Sequence, residues 1–213
     1  VPFNPESWTL EEIKLGQKPL FTNKSASIWD IGDGVACLEF HSKMNAVDND
    51  TLSMVKEAAK IDKKGFKALV IGNDSRNFSA GANIGMALFA ANLAMWPLLE
   101  QTFKEGQSAY TALKFSPFPV VAAPAGMALG GGCEVCLHVD YVNAHSELYM
   151  GLVEVGVGIV PGWGGVKEMI FRHIHNAERP GGPMPALMEV FQTIGLAKVS
   201  TSNVVFLIHT PGI

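Results

Sequence analysis

The sequence contains few charged residues, and positive charge is the scarcer sign. Charged residues make up 17% of the 213 positions, and 16 basic against 20 acidic side chains give a net charge of −4 at pH 7. A protein that binds nucleic acid needs a basic surface, which this balance does not supply. Apolar residues account for 48% of the chain, enough for a hydrophobic core, and the length predicts one domain. We therefore expect a folded protein without a nucleic-acid partner.

Cysteine is also scarce. Cys37, Cys133 and Cys136 are too few and too unevenly placed for a disulfide framework, which favours a reducing, cytoplasmic location. The last two form a C-x-x-C pair, but a structural zinc site of this type needs a second pair. No H-E-x-x-H motif occurs in the sequence. We expect no metal site.

Two runs without Asp, Glu, Lys or Arg, residues 77–99 and 115–133, are long enough to be considered as membrane spans. The second contains prolines and a triple glycine, and the first is polar and glycine-rich in its opening third. We therefore predict that both are buried core and that the protein has no membrane span. The chain begins with Val1 and shows no basic segment followed by an apolar one. We accordingly expect no signal peptide and interpret the sequence as a piece of a longer chain.

Short apolar segments alternate with helix-like ones along the chain. This alternation predicts an α/β protein with strands and helices in separate layers. Residues 1–24 show no periodicity and are interpreted as a lead-in or linker before a single domain at 25–213. In chain order, the predicted elements are a hairpin at 27–40, a helix at 48–60 capped by Asp48 or Asp50, a strand at 67–72, helices at 84–99 and 100–114, a strand at 118–123, a glycine-rich turn and helix at 127–137, strands at 140–144 and 147–150, a helix at 162–174, a loop at 179–185 and a helix at 186–197.

A glycine-rich turn at Gly130–Gly132 opens a predicted helix and precedes the first of two unusual carboxylates. Such a turn presents free N–H groups at the positive end of the helix dipole, where negative charge is stabilised. Glu134, in the first helical turn, either complements this dipole at the surface or is buried and functional. Its apolar neighbours favour the second alternative, because an idle buried carboxylate is costly.

Glu154 is the second unusual carboxylate, because it is the only charged residue between positions 150 and 160. It either pairs with a lysine such as Lys167 at the rim of the protein or shares a cavity with Glu134. In a shared cavity, desolvation would separate the pKa values of the two groups for acid and base catalysis. These residues by themselves leave both alternatives open.

Several common catalytic motifs are absent. The sequence contains no G-x-x-x-x-G-K-[ST] phosphate loop, no G-x-G-x-x-G after a predicted strand and no G-x-S-x-G elbow. These absences argue against phosphoryl transfer, hydride transfer and a nucleophilic serine.

Three ordered segments carry a resemblance to a known family: Ser79–Ile84 (SAGANI), Gly130–Glu134 (GGGCE) and Glu154–Gly165 (EVGVGIVPGWGG). Together with Asn45-Ala46, they resemble in order and spacing the motifs of the crotonase family, and within it those of the enoyl-CoA hydratases. The resemblance runs from about Ser27 to Gly165. The lead-in and residues 191–202 are similar, more loosely, to the hydratase region of bacterial fusion enzymes that also contain a 3-hydroxyacyl-CoA dehydrogenase module.

This resemblance implies a spiral of β-β-α turns whose C-terminal helical region is truncated. It also implies that the backbone N–H groups of Ala82 and Gly131 form an oxyanion hole for an acyl-CoA thioester. Glu134 would then activate a water molecule, and Glu154 would deliver a proton to the α-carbon. No cofactor is implied beyond the coenzyme A of the substrate, and the resemblance is compatible with a homotrimer and with an attached dehydrogenase module. The substrate-binding residues would be Asn45, Ala46, Ala80, Gly81, Asn83, Ile84 and Gly130.

The activity implied by the resemblance is reversible syn hydration of a 2-trans-enoyl-CoA to a 3-hydroxyacyl-CoA in fatty-acid β-oxidation. The alternatives are a 3,2-enoyl-CoA isomerase, a dual enzyme, or a non-catalytic acyl-CoA-binding module. Asn83 stands where the family often has Asp, and Leu152-Val153 where it often has Gln-Pro. Residues 84–99 are expected either to line the acyl tunnel or to form a plain core helix.

Overall fold

The computed structural model describes residues 9–175 and 181–202. Strands and helices alternate through these residues, which confirms the predicted α/β class. The strands are β1 (Phe21–Thr22), β2 (Ala26–Asp30), β3 (Val35–Phe40), β4 (Ala68–Ile71), β5 (Val120–Ala122), β6 (Met127–Leu129), β7 (Tyr141–Val142) and β8 (Tyr149–Gly151). The helices are α1 (Leu10–Leu15), α2 (Asn49–Ala58), α3 (Ile84–Asn92), α4 (Trp96–Lys114), α5 (Gly131–Cys136), α6 (Gly165–Ile174) and α7 (Pro183–Gly195), with 3₁₀ turns at Lys43–Asn45, Ile61–Lys64 and Glu154–Val157.

The strands form two layers. The first is a six-stranded sheet in the order β1-β2-β3-β4-β5-β7, antiparallel from β1 to β3 and parallel from β3 to β7. The second pairs β6 with β8 in parallel, and single bridges extend it from Ala128 to Ser79 and from Ala82 to Val47. The second layer is thus a short parallel stack built from residues near 47, near 80, in β6 and in β8.

The chain enters these layers in turn. After β3 the chain passes into the second layer at Val47, and after β4 it does so at Ser79–Ala82. It enters the second layer again as β6, which follows β5, and as β8, which follows β7. Helical segments follow each of these passages and cover the layers. This succession is the predicted spiral of β-β-α turns. It places successive second-layer segments side by side, which brings residues far apart in sequence to one place.

Most predicted elements are present, and their ends are set by identifiable residues. The predicted hairpin is β2 and β3, paired from Ala26–Phe40 to Asp30–Ala36. Asp48, rather than Asp50, caps α2, since its side chain accepts the Thr51 N–H at 2.8 Å.

Residues 9–24 contain two elements that the sequence did not predict. Thr9 begins α1 with a capping box, in which its side chain and that of Glu12 each accept a backbone N–H from the other residue. Leu10 packs with the buried Trp29 and Cys37, and β1 pairs with β2. The absence of hydrophobic periodicity hid these elements because α1 is only six residues long. Residues 1–8 of the predicted lead-in lie outside the described residues.

Three boundaries differ from the predictions. Residues 127–129, predicted as part of a turn, form β6, which is too short to show a period. The helix break predicted at 99–100 lies instead at 93–95, where Ala94 has φ of 53° and Pro97 occupies the first turn of α4. The last helix begins at Pro183, inside the predicted loop, of which residues 179 and 180 are not described.

The run 77–99 is not buried core throughout, so that part of the prediction is wrong. In α3 only Ala90 is buried, whereas Met86, Leu88 and Phe89 are each at least 60% exposed. This exposure also excludes the plain core helix expected at 84–99. The run 115–133, by contrast, does contribute Val120, Ala122, Ala128 and Cys133 to the core, although Phe115 is exposed. No helix among the described residues is long and apolar enough to cross a membrane.

Candidate active site

Residues 79–83 run through the centre of the second layer and position the first predicted site residue. On one side, Ser79 N–H donates to Met127 O at 2.9 Å, and Leu129 N–H donates to Ser79 O at 3.0 Å. On the other side, Val47 N–H donates to Gly81 O at 2.8 Å. This double anchoring places Ala82 beside the start of α5. A Cβ built on Gly131 would lie only 3.5 Å from Ala82 N.

Gly131 is the first residue of α5, as predicted, and Gly130 turns the chain into the helix with φ of 51°. A side chain rarely tolerates this backbone conformation, which accounts for glycine at position 130. Among the described residues, neither Ala82 N–H nor Gly131 N–H has a hydrogen-bond acceptor. Two neighbouring free amides of this kind can bind a single oxygen that develops negative charge.

Glu134 lies in the first turn of α5 and is only 2% exposed. Its Oε1 accepts the backbone N–H groups of Trp163 and Gly165, both at 2.9 Å. The side chain therefore points into the protein, and the alternative of a surface group complementing the helix dipole is wrong. Burial raises the pKa of Glu134 to about 7. The negative charge of Glu154 also raises this pKa, whereas the two backbone N–H groups lower it.

Glu154 begins the 3₁₀ turn that follows β8, and its carboxylate lies next to the glycine turn. Its Oε1 lies 3.1 Å from the point where Gly130 would carry a Cβ, and its buried Oε2 has no hydrogen-bond partner among the described residues. Burial raises the pKa of Glu154 as well. Lys167 instead contacts Glu168 at 3.1 Å, so the alternative that Glu154 pairs with Lys167 is wrong.

The residues predicted to contact coenzyme A lie next to the free amides. Ala80 N–H donates to Met44 O at 3.1 Å, and Ser79 Oγ donates to Asn45 O at 2.7 Å. The side chain of Asn45 is buried and donates to Asn77 O at 2.8 Å, so it holds the two segments together. The structure thus brings Asn45, Ala46, Ala80, Gly81, Asn83, Ile84 and Gly130 to one region, with Asn83 and Ile84 exposed and Asn45, Gly81 and Gly130 buried.

Another buried carboxylate, Glu168 in α6, was not singled out by the sequence analysis. Its Oε2 contacts Lys114 Nζ at 2.5 Å and Arg172 Nη1 at 3.0 Å, and its Oε1 contacts Lys167 Nζ. Burial alone would raise the pKa of Glu168, but these cations lower it to about 2. The only signal in the sequence was the i, i+4 spacing of Glu168 and Arg172.

Side chains around Glu168 also hold α5 in place. Arg172 Nη2 donates to Leu137 O at 2.8 Å, at the end of α5. His138 Nδ1 donates to the backbone oxygen of Glu134 at 2.7 Å, and burial lowers the pKa of His138. The neutral ring with Nδ1 protonated is suited to this bond. The helix that carries Glu134 is therefore tied to α6 by the Arg172–Leu137 bond and by the bond from Gly165 N–H to Glu134 Oε1.

The sequence profile described as enoyl-CoA hydratase/isomerase matches residues 30–178 of this chain. The chain belongs to the enoyl-CoA hydratase/isomerase family. This finding confirms the resemblance inferred from the three motifs.

Relatives of this hydratase/isomerase chain are found in longer proteins. It is 43% identical over 193 residues to the probable 3-hydroxyacyl-CoA dehydrogenase of Bacillus subtilis (strain 168), covering 91% of this chain and 24% of that protein. It is 38% identical over 129 residues to the crotonyl-CoA hydratase of Syntrophomonas wolfei, covering 59% and 48%. The chain therefore spans less than half the length of each of these relatives.

The fold is shared with solved structures of the family. A crystal structure of enoyl-CoA hydratase from Bacillus anthracis superposes with a TM-score of 0.71 at 19% identity, covering 88% of this chain and 68% of that one. This agreement confirms the expected crotonase-like architecture. In the part of the chain that the structure describes, no group of three or more His, Cys, Asp or Glu could hold a metal ion.

Proposed function

We propose that this site catalyses reversible syn addition of water to a 2-trans-enoyl-CoA, giving a 3-hydroxyacyl-CoA. The observation that carries the proposal is the pairing of two carboxylates, the buried Glu134 and the half-buried Glu154, with two free amides, Ala82 N–H and Gly131 N–H. Carboxylates without counterions can exchange protons near neutral pH, and free amides can bind an oxyanion. Hydration of a conjugated thioester requires both functions at once.

The two amides would stabilise the charge that develops during the reaction. When water adds at the β-carbon, electron density moves to the thioester oxygen and forms an enolate. Ala82 N–H and Gly131 N–H would each donate to this oxygen, and a preorganised donor of this kind typically contributes ~2.7–4 kcal/mol. Neither amide has to break a bond within the described residues to do so.

The two carboxylates would divide the proton transfers. In the hydration direction, ionised Glu134 takes a proton from the attacking water, whose oxygen bonds to the β-carbon, and protonated Glu154 gives its proton to the α-carbon. Delivery from one face of the double bond gives syn addition. Burial raises the pKa of Glu134 to about 7 and raises that of Glu154 as well, which favours exchange of a proton between the two groups. Transfer of the proton from Glu134 back to Glu154 completes the cycle.

Further parts of the proposal concern the surroundings of the site. Asn45, Ala46, Ala80, Gly81, Asn83, Ile84 and Gly130 would contact the substrate, whose coenzyme A takes the place of any separate cofactor. The product is the substrate of a 3-hydroxyacyl-CoA dehydrogenase, the activity named for the Bacillus subtilis relative. We therefore place the reaction in fatty-acid β-oxidation, with a dehydrogenase module attached in the longer protein. We also propose that the protein assembles as a homotrimer and that it lies in the cytoplasm. The free cysteines favour the cytoplasmic location.

A substrate panel on the purified protein tests the activity. Crotonyl-CoA should lose its conjugated-thioester absorbance and yield 3-hydroxybutyryl-CoA, identified by mass spectrometry. Conversion of a 3-enoyl-CoA to the 2-enoyl isomer, without hydration of crotonyl-CoA, would show an isomerase instead. Binding of crotonyl-CoA without turnover of either substrate would show a non-catalytic acyl-CoA-binding module.

A further inference from the structure

Trp163 has a packing arrangement that the proposed chemistry does not explain. Its side chain is buried, with 6% of the residue exposed, and it lies edge-on to the Tyr110 ring with 5.6 Å between ring centroids. A Cβ on Gly106 of α4 would lie 2.2 Å from Trp163 Nε1, and one on Gly131 would lie 2.5 Å from Trp163 Cζ3. The indole therefore fills a slot between α4 and α5 that exists only because both positions are glycine.

One end of this slot borders the free amides. The point that lies 2.5 Å from Trp163 Cζ3, where Gly131 would carry a Cβ, is also 3.5 Å from Ala82 N. Tyr110 Oη donates to Gly131 O at 2.8 Å, which fixes the same glycine from behind. The edge of the indole is thus part of the wall around the atoms that would hold the thioester oxygen.

The surrounding residues indicate which half of the substrate would meet the indole. The backbone N–H of Trp163 itself donates to Glu134 Oε1 at 2.9 Å, so the indole and that carboxylate lie at the same end of the site. The coenzyme A side is assigned to the segment around Asn45, which contacts the opposite side of residues 79–83. Because the carboxylates must reach the α- and β-carbons, Trp163 lies at the acyl end.

We propose that Trp163 sets the acyl-chain length that the site accepts, closing the acyl end so that short 2-enoyl groups are preferred. This inference rests on the proposed function, since it assumes that the site binds an acyl-CoA. A chain that extends beyond the first carbons after the double bond would have to displace the indole from its slot. This displacement costs free energy because interior side chains are close-packed. A smaller residue at position 163 would instead leave the slot between Gly106 and Gly131 open to the acyl chain.

The test compares binding of saturated acyl-CoAs, which cannot react, in the wild type and in Trp163→Leu. Calorimetry with butyryl-CoA and decanoyl-CoA should show that the substitution strengthens decanoyl-CoA binding by roughly tenfold or more, the scale at which a few buried methylenes act. Butyryl-CoA binding should change by less than about threefold. Phe115→Leu, a matched aromatic-to-leucine change at a residue that is 73% exposed, should change neither affinity.

Turnover gives a second readout, and its wild-type part does not depend on any variant folding. Wild-type kcat/KM should be higher for crotonyl-CoA than for 2-trans-decenoyl-CoA, and Trp163→Phe, which retains an aromatic ring, should narrow this ratio. Equal wild-type kcat/KM values for the two substrates, or a folded Trp163→Leu protein with unchanged decanoyl-CoA affinity, would overturn the proposal. If no substrate is hydrated but the affinities shift as expected, the proposed catalytic function fails while the role of Trp163 in acyl binding stands.

Discussion

Glu134 and Glu168 are both almost completely buried, at 2% and 1% exposure, and they lie on neighbouring helices. Their surroundings nevertheless give them opposite properties. Glu134 is held by two backbone amides and lies near a second carboxylate, and its pKa is raised to about 7. Glu168 contacts Lys114, Lys167 and Arg172, and its pKa is lowered to about 2.

The difference shows that burial alone does not determine the charge of a carboxylate. Desolvation raises the pKa in both cases, and the presence or absence of cations decides the outcome. A group that titrates near neutral pH can pass protons to and from a substrate, whereas one that stays ionised can only hold neighbouring elements together. We therefore propose a role in proton transfer for Glu134 and support of the α4–α6 arrangement for Glu168.

The largest effect is expected from Glu134→Gln, which keeps the size of the side chain and removes its basicity. Hydration kcat for crotonyl-CoA should fall by roughly 10²–10⁴, the usual range for loss of acid–base catalysis. Steady-state kinetics measures kcat, and circular dichroism checks that the variant is folded. Glu100→Gln, a matched change at a carboxylate that is exposed in α4, should leave kcat unaltered. Near-wild-type turnover of the Glu134 variant would contradict the assignment.

Glu168→Gln should act on stability instead. The substitution leaves three cations beside a neutral, buried amide. Breaking a fully buried ion pair by removing one partner costs about 3–5 kcal/mol, and the partial exposure of Lys114 and Lys167 lowers this cost here. Urea unfolding should show a correspondingly smaller free energy of unfolding. If the free energy of unfolding changed by less than about 1 kcal/mol, water would already screen this cluster. The cations would then not explain the difference between Glu168 and Glu134.

The pH dependence of stability should have opposite signs for the two groups. The folded-state pKa of Glu134 is raised above its ordinary 4.5, so its stabilising contribution is present below about pH 4.5 and is lost as pH rises towards 7. The folded-state pKa of Glu168 is lowered, so its contribution is present above pH 4.5 and is lost as pH falls towards 2.

Urea titrations of the wild type and Glu134→Gln between pH 4.5 and 7.5 isolate the first contribution. The wild-type free energy of unfolding should decline relative to that of the variant, by on the order of 2–3 kcal/mol. Parallel curves for the two proteins would show that Glu134 has an ordinary pKa in the folded state.

The smallest effect is expected for an ion pair at the surface. Lys104 contacts Glu100 at 2.6 Å with i, i+4 spacing, and both side chains are 66% exposed. Lys104→Met should leave the midpoint of urea unfolding unchanged within experimental error, because water screens this pair. A loss of stability as large as that caused by Glu168→Gln would indicate that exposure to water does not weaken the Lys104–Glu100 pair relative to the Glu168 cluster.

Local sequence signals predicted much of this fold and singled out the two carboxylates of the candidate site. The hairpin, α2 and the glycine turn before α5 follow from apolar spacing, a capping Asp48 and the conformational freedom of Gly130. Glu134 and Glu154 were recognisable because each is a carboxylate among apolar residues. These features depend on neighbours within a few positions, which the sequence displays directly.

Other features depend on contacts between distant residues, and the sequence did not indicate them. Glu168 is 54 positions from Lys114, so its ion cluster becomes visible only when α4 and α6 pack together. The slot for Trp163 requires glycine at positions 106 and 131, on two different helices. The apolar composition of α3 indicated burial, but burial also needs a packing partner, which the composition does not reveal.

The strongly raised pKa of the buried Glu134 carboxyl can be measured without substrate. Carbon-13 NMR of protein labelled at the glutamate carboxyls should show one resonance that is absent from the spectrum of Glu134→Gln. We predict that this resonance titrates with an apparent midpoint near 7 and that the midpoint falls in Glu154→Gln, because the second negative charge is removed. A midpoint between 4 and 5, the ordinary range of an exposed glutamate, would contradict the account.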